Sequence, residues 1–416
     1  MLMNSRNLLL TIFACLALSV SAQSEYKSIR TYIKKGGNIA TVRQQIQKLE
    51  KDEDFKDDPK LYFLAVQSER KANEADNTKL YLNQAYDTVN FFATISGMFK
   101  YAAQCDGIEQ HRLSNGNYKL KYRSKLHDIL KRYYPNLYSA GIFYIKKKDY
   151  KNSQQYFQQY LDAAQSPIFA ADRLLTTDTK LPRAAFWCMT SAYYQKDYYA
   201  ALRSGELASR DSANADLYLQ YTALSQGALK DTALYISTLR KGMKEIPYDL
   251  FFFSTLTDYY NTTHQYDKAL QLTDSVQRLN PQQPIFKFAK SVVLYNLKRY
   301  DDCITLSREV ISADSTNADA YFYAGSCYYN QAAEIDDNVQ PNINLKSYNA
   351  QKQQVRNLFA QAKPYLERYR RLRPNDQKRW APLLYRIYLN LNEAAPFAEI
   401  EKILNEASDK ATKSSK

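Results

Sequence analysis

Apolar positions along this chain recur at intervals of three and four, the spacing that gathers side chains on one face of an α-helix. Segments 38–51, 59–75 and 78–104 show it, with Leu61, Leu64 and Ala65, then Leu80, Leu82, Ala85 and Tyr86. Each predicts a helix. The pattern changes over 107–123. Ser114-Asn115-Gly116-Asn117 is a turn signal, and Tyr118, Leu120 and Tyr122 alternate with Lys119, Lys121 and Arg123. That period of two predicts a short hairpin or an extended arm. Near the end, 380–392 and 397–407 predict one more helix pair, followed by a small, charged tail over 409–416 that is expected to fray. The first apolar run is of another kind. Leu8–Val20 follows Arg6 and leads into Val20-Ser21-Ala22, whose small residues suit cleavage after Ala22. Spanning the hydrocarbon takes about 20 residues, more than this run supplies. Residues 1–22 are therefore expected to be a signal peptide, and the mature chain to have no transmembrane span. The expected location is exported, periplasmic or associated with the cell envelope. Lipid attachment at Cys15 is disfavoured, because bulky Phe13 precedes it and apolar residues continue past it to Val20.

A longer period overlies the helical one. Thr257 is followed at +3 by Tyr260, at +9 by Tyr266, at +12 by Ala269, at +19 by Val276 and at +24 by Pro281. Gly141, Tyr144, Tyr150, Ser153 and Tyr160 keep these offsets, as do Ser291, Leu294, Tyr300, Cys303 and Val310. A copy one residue shorter runs through Thr190, Tyr193, Tyr198, Ala201 and Ala208. A worn copy surrounds Ala223 and ends at Pro247, and another opens at Gly325 and Tyr328 and resumes at Ala362, Leu366, Tyr369 and Pro374. Two small positions per copy let two helices cross closely, the aromatics fill the wedge to the next copy, and Pro starts a turn that cannot continue a helix. The set resembles the tetratricopeptide repeat (TPR) family, whose 34-residue unit is a helix–turn–helix.

The resemblance implies an all-α fold, a right-handed α-solenoid of antiparallel helix pairs. The organisation expected is a divergent helical region over 23–133 and a repeat array over 134–375. An Asn- and Asp-rich insertion at 335–350 interrupts the array, and a capping pair occupies 376–408. It also implies a concave groove lined by the first helix of each pair. The inward positions are Tyr138, Ile142, Trp187 and Tyr194, then Asp258, Asn261, Phe288, Tyr295 and Asn296, then Phe322, Tyr329, Asn330 and Tyr388. The Asn residues would either bracket a peptide backbone with their amides or merely close their helices. The Tyr residues would either line the groove or fill wedges.

Composition narrows the reading. The chain has 10 Gly among 416 residues, where average usage near 7% would give roughly 29. So little Gly suggests few left-handed turns, hairpins or phosphate-cradling loops, which argues against sandwiches, barrels and nucleotide-binding α/β folds. The 37 Tyr and 18 Phe supply the wedges the repeat requires. Of the net charge of +14, two windows, 116–148 and 346–380, carry the excess. The first holds Lys119, Lys121, Arg123, Lys125, Lys146, Lys147 and Lys148. The second holds Arg368, Arg370, Arg371, Arg373, Lys378 and Arg379. They read either as solvated helix faces or as contacts to an anionic envelope surface. No nucleic-acid motif accompanies them, so nucleic acid is not an expected partner.

Chemistry is scarce. His111, His127 and His264 are far apart, and Cys105, Cys188, Cys303 and Cys327 form no CxxC, so no metal or cofactor is expected. A Cys303–Cys327 disulfide stays open. HExxH, GxSxG, GxxxxGK and GxGxxG are all missing. The resulting expectation is a non-catalytic scaffold or adaptor of the bacterial cell envelope that binds a peptide or protein segment in its groove. The alternative is an exported glycan-binding module that uses stacked Tyr and Trp.

Overall fold

The structure is a computed structural model that describes residues 25–116, 118–338 and 344–414, with side chains to 406. The expected signal peptide, and part of the 335–350 insertion, lie outside the described residues. Among the described residues every regular element is helical. They form two compact units, one up to Thr238 and one from Leu239.

The first unit opens with α1 (25–35), α2 (Ile39–Leu49), α3 (Pro59–Tyr81), α4 (Thr88–Ser114) and α5 (Arg123–Leu130). Asn38, Asp58 and Asp87 start α2, α3 and α4, each side chain accepting a hydrogen bond from a first-turn N–H. The apolar run expected over 78–104 is split. Asn83 turns the chain with a φ of 54°, and Asp87 caps the next helix. The hairpin expected over 107–123 does not form among the described residues. Residues 107–114 complete α4, and 118–122 form an irregular segment that bonds back to it. Two backbone donors of that segment go to a carboxylate instead of a second strand. Glu109, fully buried, accepts from Lys121 N at 2.8 Å, Tyr122 N at 3.1 Å and Tyr118 Oη at 3.2 Å. One helical turn earlier, Asp106 holds the Arg123 guanidinium at 2.7 and 3.0 Å.

Regular pairs follow: α6 (Tyr134–Lys146) with α7 (Tyr150–Gln165), then, past a short α8 (Leu174–Thr177), α9 (Leu181–Tyr194). The partner of α9 is broken at Ser204 into α10 (Tyr198–Arg203) and α11 (Gly205–Ala208). After α12 (Ala215–Ala228) comes α13 (Thr232–Glu245), which carries the boundary between the units. The second unit continues with α14 (Leu250–Thr262), α15 (Tyr266–Leu279), α16 (Pro284–Asn296) and α17 (Tyr300–Ala313). It ends with α18 (Ala318–Asp337), α19 (Leu345–Leu372), α20 (Gln377–Leu391) and α21 (Ala394–Ser414). The expected insertion is partly absorbed here: 335–337 finish α18 and 345–350 begin α19. The helix of α21 runs through 409–414.

The small positions of the repeat are buried: Thr190, Thr257 and Ser291 in first helices, Ser153, Ala201, Ala269, Cys303 and Ala362 in second helices. At Gly141 an added Cβ would lie 2.6 Å from the Phe157 ring, so the α6–α7 crossing is closed to any other residue without movement.

One inference from composition is corrected. The left-handed turns are present, but Lys and Asn make most of them. Asn83, Lys148, Arg173, Lys196, Lys230, His264, Lys298 and Asn392 all have φ between 52° and 63°. Six of these, Lys148, Lys196, Lys230, His264, Lys298 and Asn392, end a first helix. The lysines among them set a cation near the exposed carbonyls and the negative end of the helix dipole. From Lys196 through Lys230 and His264 to Lys298 each step equals one repeat, whereas the step from Lys148 to Lys196 is longer. That one long interval exposes an insertion that the sequence pattern concealed. Between α7 and α9 the chain makes a 3-10 turn at Pro167–Asp172, reverses at Arg173 and adds α8.

Candidate functional site

In the second unit the first helices α14, α16, α18 and α20 touch in succession. This row places expected groove residues beside one another. Asn296 Nδ2 donates to Asn261 Oδ1 at 3.2 Å, and Asn330 Nδ2 donates to Tyr295 Oη at 3.2 Å. Each contact joins positions separated by one repeat plus one residue. Phe288 and Tyr323 obey the same rule, with ring centroids 6.0 Å apart. Tyr323 also meets Tyr295 edge-on at 5.3 Å and Phe322 at 5.5 Å. The Arg379 guanidinium lies 3.9 Å from the Phe322 ring centroid and pairs with Asp319 at 2.8 Å. Asp258 is open to solvent and has no ionic partner among the described residues. Enough protein surrounds it that desolvation lifts its carboxyl above the ordinary value. Burial likewise raises the Tyr295 hydroxyl, although the Asn330 amide favours its ionised form.

Two expected groove residues turn elsewhere. Tyr388 is 2% exposed, and its hydroxyl donates to Glu367 at 3.0 Å, so it is a wedge between α20 and α19. Tyr329 is half-buried against Phe359 of α19, at 5.6 Å. Sequence reasoning missed Tyr323 and Arg379 as members of the row. The period-plus-one spacing would have found Tyr323 from Phe288. Arg379 reads in the sequence only as charge.

In the first unit, Tyr138 and Ile142 lie on α6, and Trp187 and Tyr194 on α9. Tyr138 packs on Phe157 and Tyr160 at 5.6 and 5.7 Å, and Ile142 is half-buried. Trp187 meets Phe186 at 5.2 Å. Tyr194 is half exposed, stacks on Tyr150 at 4.6 Å and brings its hydroxyl within 3.1 Å of that of Tyr221.

In every pair from α9 to α17 the first helix ends on a left-handed residue, and that residue recurs once per repeat length. The buried small positions recur with it. These are helix pairs of the tetratricopeptide type. No family model and no curated protein matches the chain. Solved structures do. The C-terminal part of a TPR repeat-containing protein from Cytophaga hutchinsonii is 13% identical, with 64% of this chain and 93% of that one covered and a TM-score of 0.44. A tetratricopeptide repeat protein from Parabacteroides merdae is 14% identical over 58% and 97%, with a TM-score of 0.37. YrrB, described as a TPR protein with an unusual peptide-binding site, is 14% identical over 50% and 93%, at 0.34.

Among these TPR-type helices the two basic windows divide into paired and free cations. In the first, Arg123 is held by Asp106. Lys121 lies 5.8 Å over the Tyr118 ring, Lys125 5.8 Å over Tyr122 and Lys147 4.2 Å over Phe143. Lys119, Lys146 and Lys148 are exposed without an ionic partner among the described residues. In the second, Arg370 pairs with Glu399, Arg379 with Asp319, and Arg368 lies 5.9 Å over Tyr321. Arg371, Arg373 and Lys378 are exposed, with no ionic partner among the described residues.

Cys303 and Cys327 are free, fully buried thiols in one core cluster. Among the described residues no group of three His, Cys, Asp or Glu could hold a metal ion, and no helix is long and apolar enough to cross a membrane.

Proposed function

We propose that this chain is a non-catalytic interaction scaffold of the bacterial cell envelope. It holds an extended peptide or a protein segment against the first-helix row of its second unit. The carrying observation is the pair of inter-repeat hydrogen bonds, Asn296 to Asn261 and Asn330 to Tyr295. Each bond uses only part of an amide's capacity and fixes its plane, leaving Asn261 Nδ2 and the carbonyl oxygens of Asn296 and Asn330 for a bound backbone. The aromatic group Phe288, Tyr295, Phe322 and Tyr323 supplies apolar area beside them at low rotamer cost. Asp258, an acid without a cation among the described residues, favours a segment that carries Lys or Arg opposite it.

The test is a pull-down from envelope extract with a Tyr295→Ala, Asn296→Ala double variant. Capture of partner should fall while circular dichroism stays helical. Unchanged capture removes this face from consideration. Export rests on the Leu8–Val20 run and the Val20-Ser21-Ala22 sequence. A mature N-terminus at Gln23 in the periplasmic fraction supports it, and an intact Met1 in the cytoplasm refutes it. The glycan alternative has one observation of its own. Tyr194 and Tyr199 of the first unit, 50% and 73% exposed, offer aromatic surface to solvent of the kind sugars pack on. A glycan array separates the two readings.

A further inference from the structure

The insertion between α7 and α9 builds something the regular pairs do not. It walls a cleft of about 360 Å³ against α4 and α7, within the size range of small-molecule sites. Phe99, Leu130, Ala163, Ile168 and Phe169 form an apolar floor, and all five are buried. The wall is fixed in place. Ser166 caps the 3-10 turn by accepting Ile168 N at 3.2 Å. Asp172 lies 2.5 Å from His127 Nε2 and accepts Lys131 Nζ at 2.9 Å. Asp178 at the far end accepts the hydroxyls of Tyr134 and Tyr160. Phe169 lies parallel to Phe99 at 6.3 Å and against Tyr134 at 5.5 Å. A cleft held open by this many contacts is preorganised, so an occupant need not pay for shaping it.

The second observation concerns hydrogen bonding. Gln104 and Gln159 line this cleft, and the amide oxygen of each is closed off from water with no donor. They are two of six such atoms among the described residues, and both belong to residues that line this one cleft. Buried acceptors are nearly always satisfied. The terminal amide torsion of Gln is soft, so rotation can present either oxygen to the cleft, at Gln159 by giving up the 3.4 Å bond from Nε2 to Ser96 O. Lys100 at the rim offers a donor in return.

We infer that this cleft is a binding site for an apolar carboxamide, a hydrophobic body carrying N–H donors, the chemistry of a short apolar peptide segment. The body fills the floor, the N–H groups satisfy Gln104 and Gln159, and Lys100 takes the amide carbonyl. The site is independent of the first-helix row of the second unit.

The experiment titrates the full mature chain with N-acetylphenylalaninamide by ligand-observed NMR, beside N-acetylphenylalanine ethyl ester, which lacks the terminal donors. The amide should bind, and the ester at least about fivefold more weakly. Ala103 lines the cleft and is exposed, so Ala103→Trp should block it and lower affinity about tenfold or more without loss of helicity. Gln104→Leu gives the more telling result. Removing an orphaned acceptor should leave Tm equal or higher while affinity falls. Tyr295→Ala should change nothing. The inference is overturned by absence of binding, by equal binding of amide and ester, by binding insensitive to Ala103→Trp, or by a Gln104→Leu protein that loses Tm yet keeps its affinity. A capped apolar tripeptide binding more tightly than the single residue points to a peptide ligand. A weaker tripeptide restricts the site to free small amides, and the inferred chemistry stands in both cases.

Discussion

The helices α1 to α5 and the pairs that begin at α6 solve the same packing problem with different chemistry. Before residue 131, contacts are individually addressed. Glu69, 2% exposed, is held bidentately by Arg43 at 2.7 and 2.6 Å. Asp106 holds Arg123, and Glu109 gathers three donors. Buried Asn73 donates to Phe91 O at 3.0 Å and Thr94 Oγ1 at 2.8 Å. From α6 onward most recurring joints are shape and ring contacts, and a clamp such as Arg183 on the buried carboxylate of Asp211 appears singly. Phe157 fills the space left by Gly141, Ser153 Oγ donates to Gly141 O at 3.1 Å, and Ser191 Oγ reaches Ser153 Oγ at 3.1 Å. Tyr134 stacks on Tyr160 at 4.3 Å and Tyr144 on Tyr156 at 5.4 Å. A small-plus-aromatic joint can be reused in copy after copy because it needs only complementary shape. A charge clamp needs its one partner, so it does not recur from copy to copy even where it joins repeating helices.

The sharpest way to break this contrast is to open one clamp. Arg43→Met strands a buried carboxylate and should cost about 3–5 kcal/mol, read by denaturant unfolding. Adding Glu69→Leu should restore most of the loss, since an apolar pair of similar volume can replace a buried ion pair. The matching lesion in the repeats is Gly141→Ala, expected to cost about 1–3 kcal/mol by overpacking. Phe157→Leu, not a charge change, should relieve it.

A smaller effect tests the clamp that fixes the insertion. Lys131 and then His127 hold the Asp172 carboxyl below its ordinary value. A depressed folded pKa means the stabilisation is present above the unfolded value of about 4 and is lost as pH falls through the folded one. Asp172→Asn should therefore flatten the acid limb of the Tm–pH profile below pH of about 4, and an unchanged limb rejects the clamp. The smallest expected change has the opposite sign. Lys230→Gly relieves a left-handed residue and should raise stability by up to about 1 kcal/mol, visible as a small rise in Tm.

What the sequence revealed follows the same division. The repeats were legible because each copy carries its own small and aromatic positions at fixed offsets, and Thr257, Ser291 and Cys303 proved buried where the period put them. The region before residue 131 was legible only as helical spacing, since nothing in sequence announces that Glu109 will accept from residues 118, 121 and 122. The insertion at 166–180 stayed hidden because Leu161, Ile168 and Leu174 continue a plausible apolar rhythm. Its signal was the interval between Lys148 and Lys196, readable only once the turn residues were known to be Lys instead of Gly. In the candidate row, analogy between copies named Asn261, Tyr295, Asn296 and Asn330 as inward positions, and only the structure shows that they bond in pairs across repeats. Tyr388 was misplaced by one helical face, because a wedge Tyr and a groove Tyr differ by about 100° of helix rotation and by nothing in residue type.

The central claim is that a partner segment lies along α14, α16 and α18. Site-specific photocrosslinking in living cells measures it directly, with p-benzoylphenylalanine placed at Asp258, Phe288 or, as a control on the second helix α15, at exposed Leu279. One discrete crosslinked species is predicted from Asp258 and Phe288, lost with Asn296→Ala, and none from Leu279. Equal crosslinking from Leu279, or none from the first-helix positions, would contradict the claim.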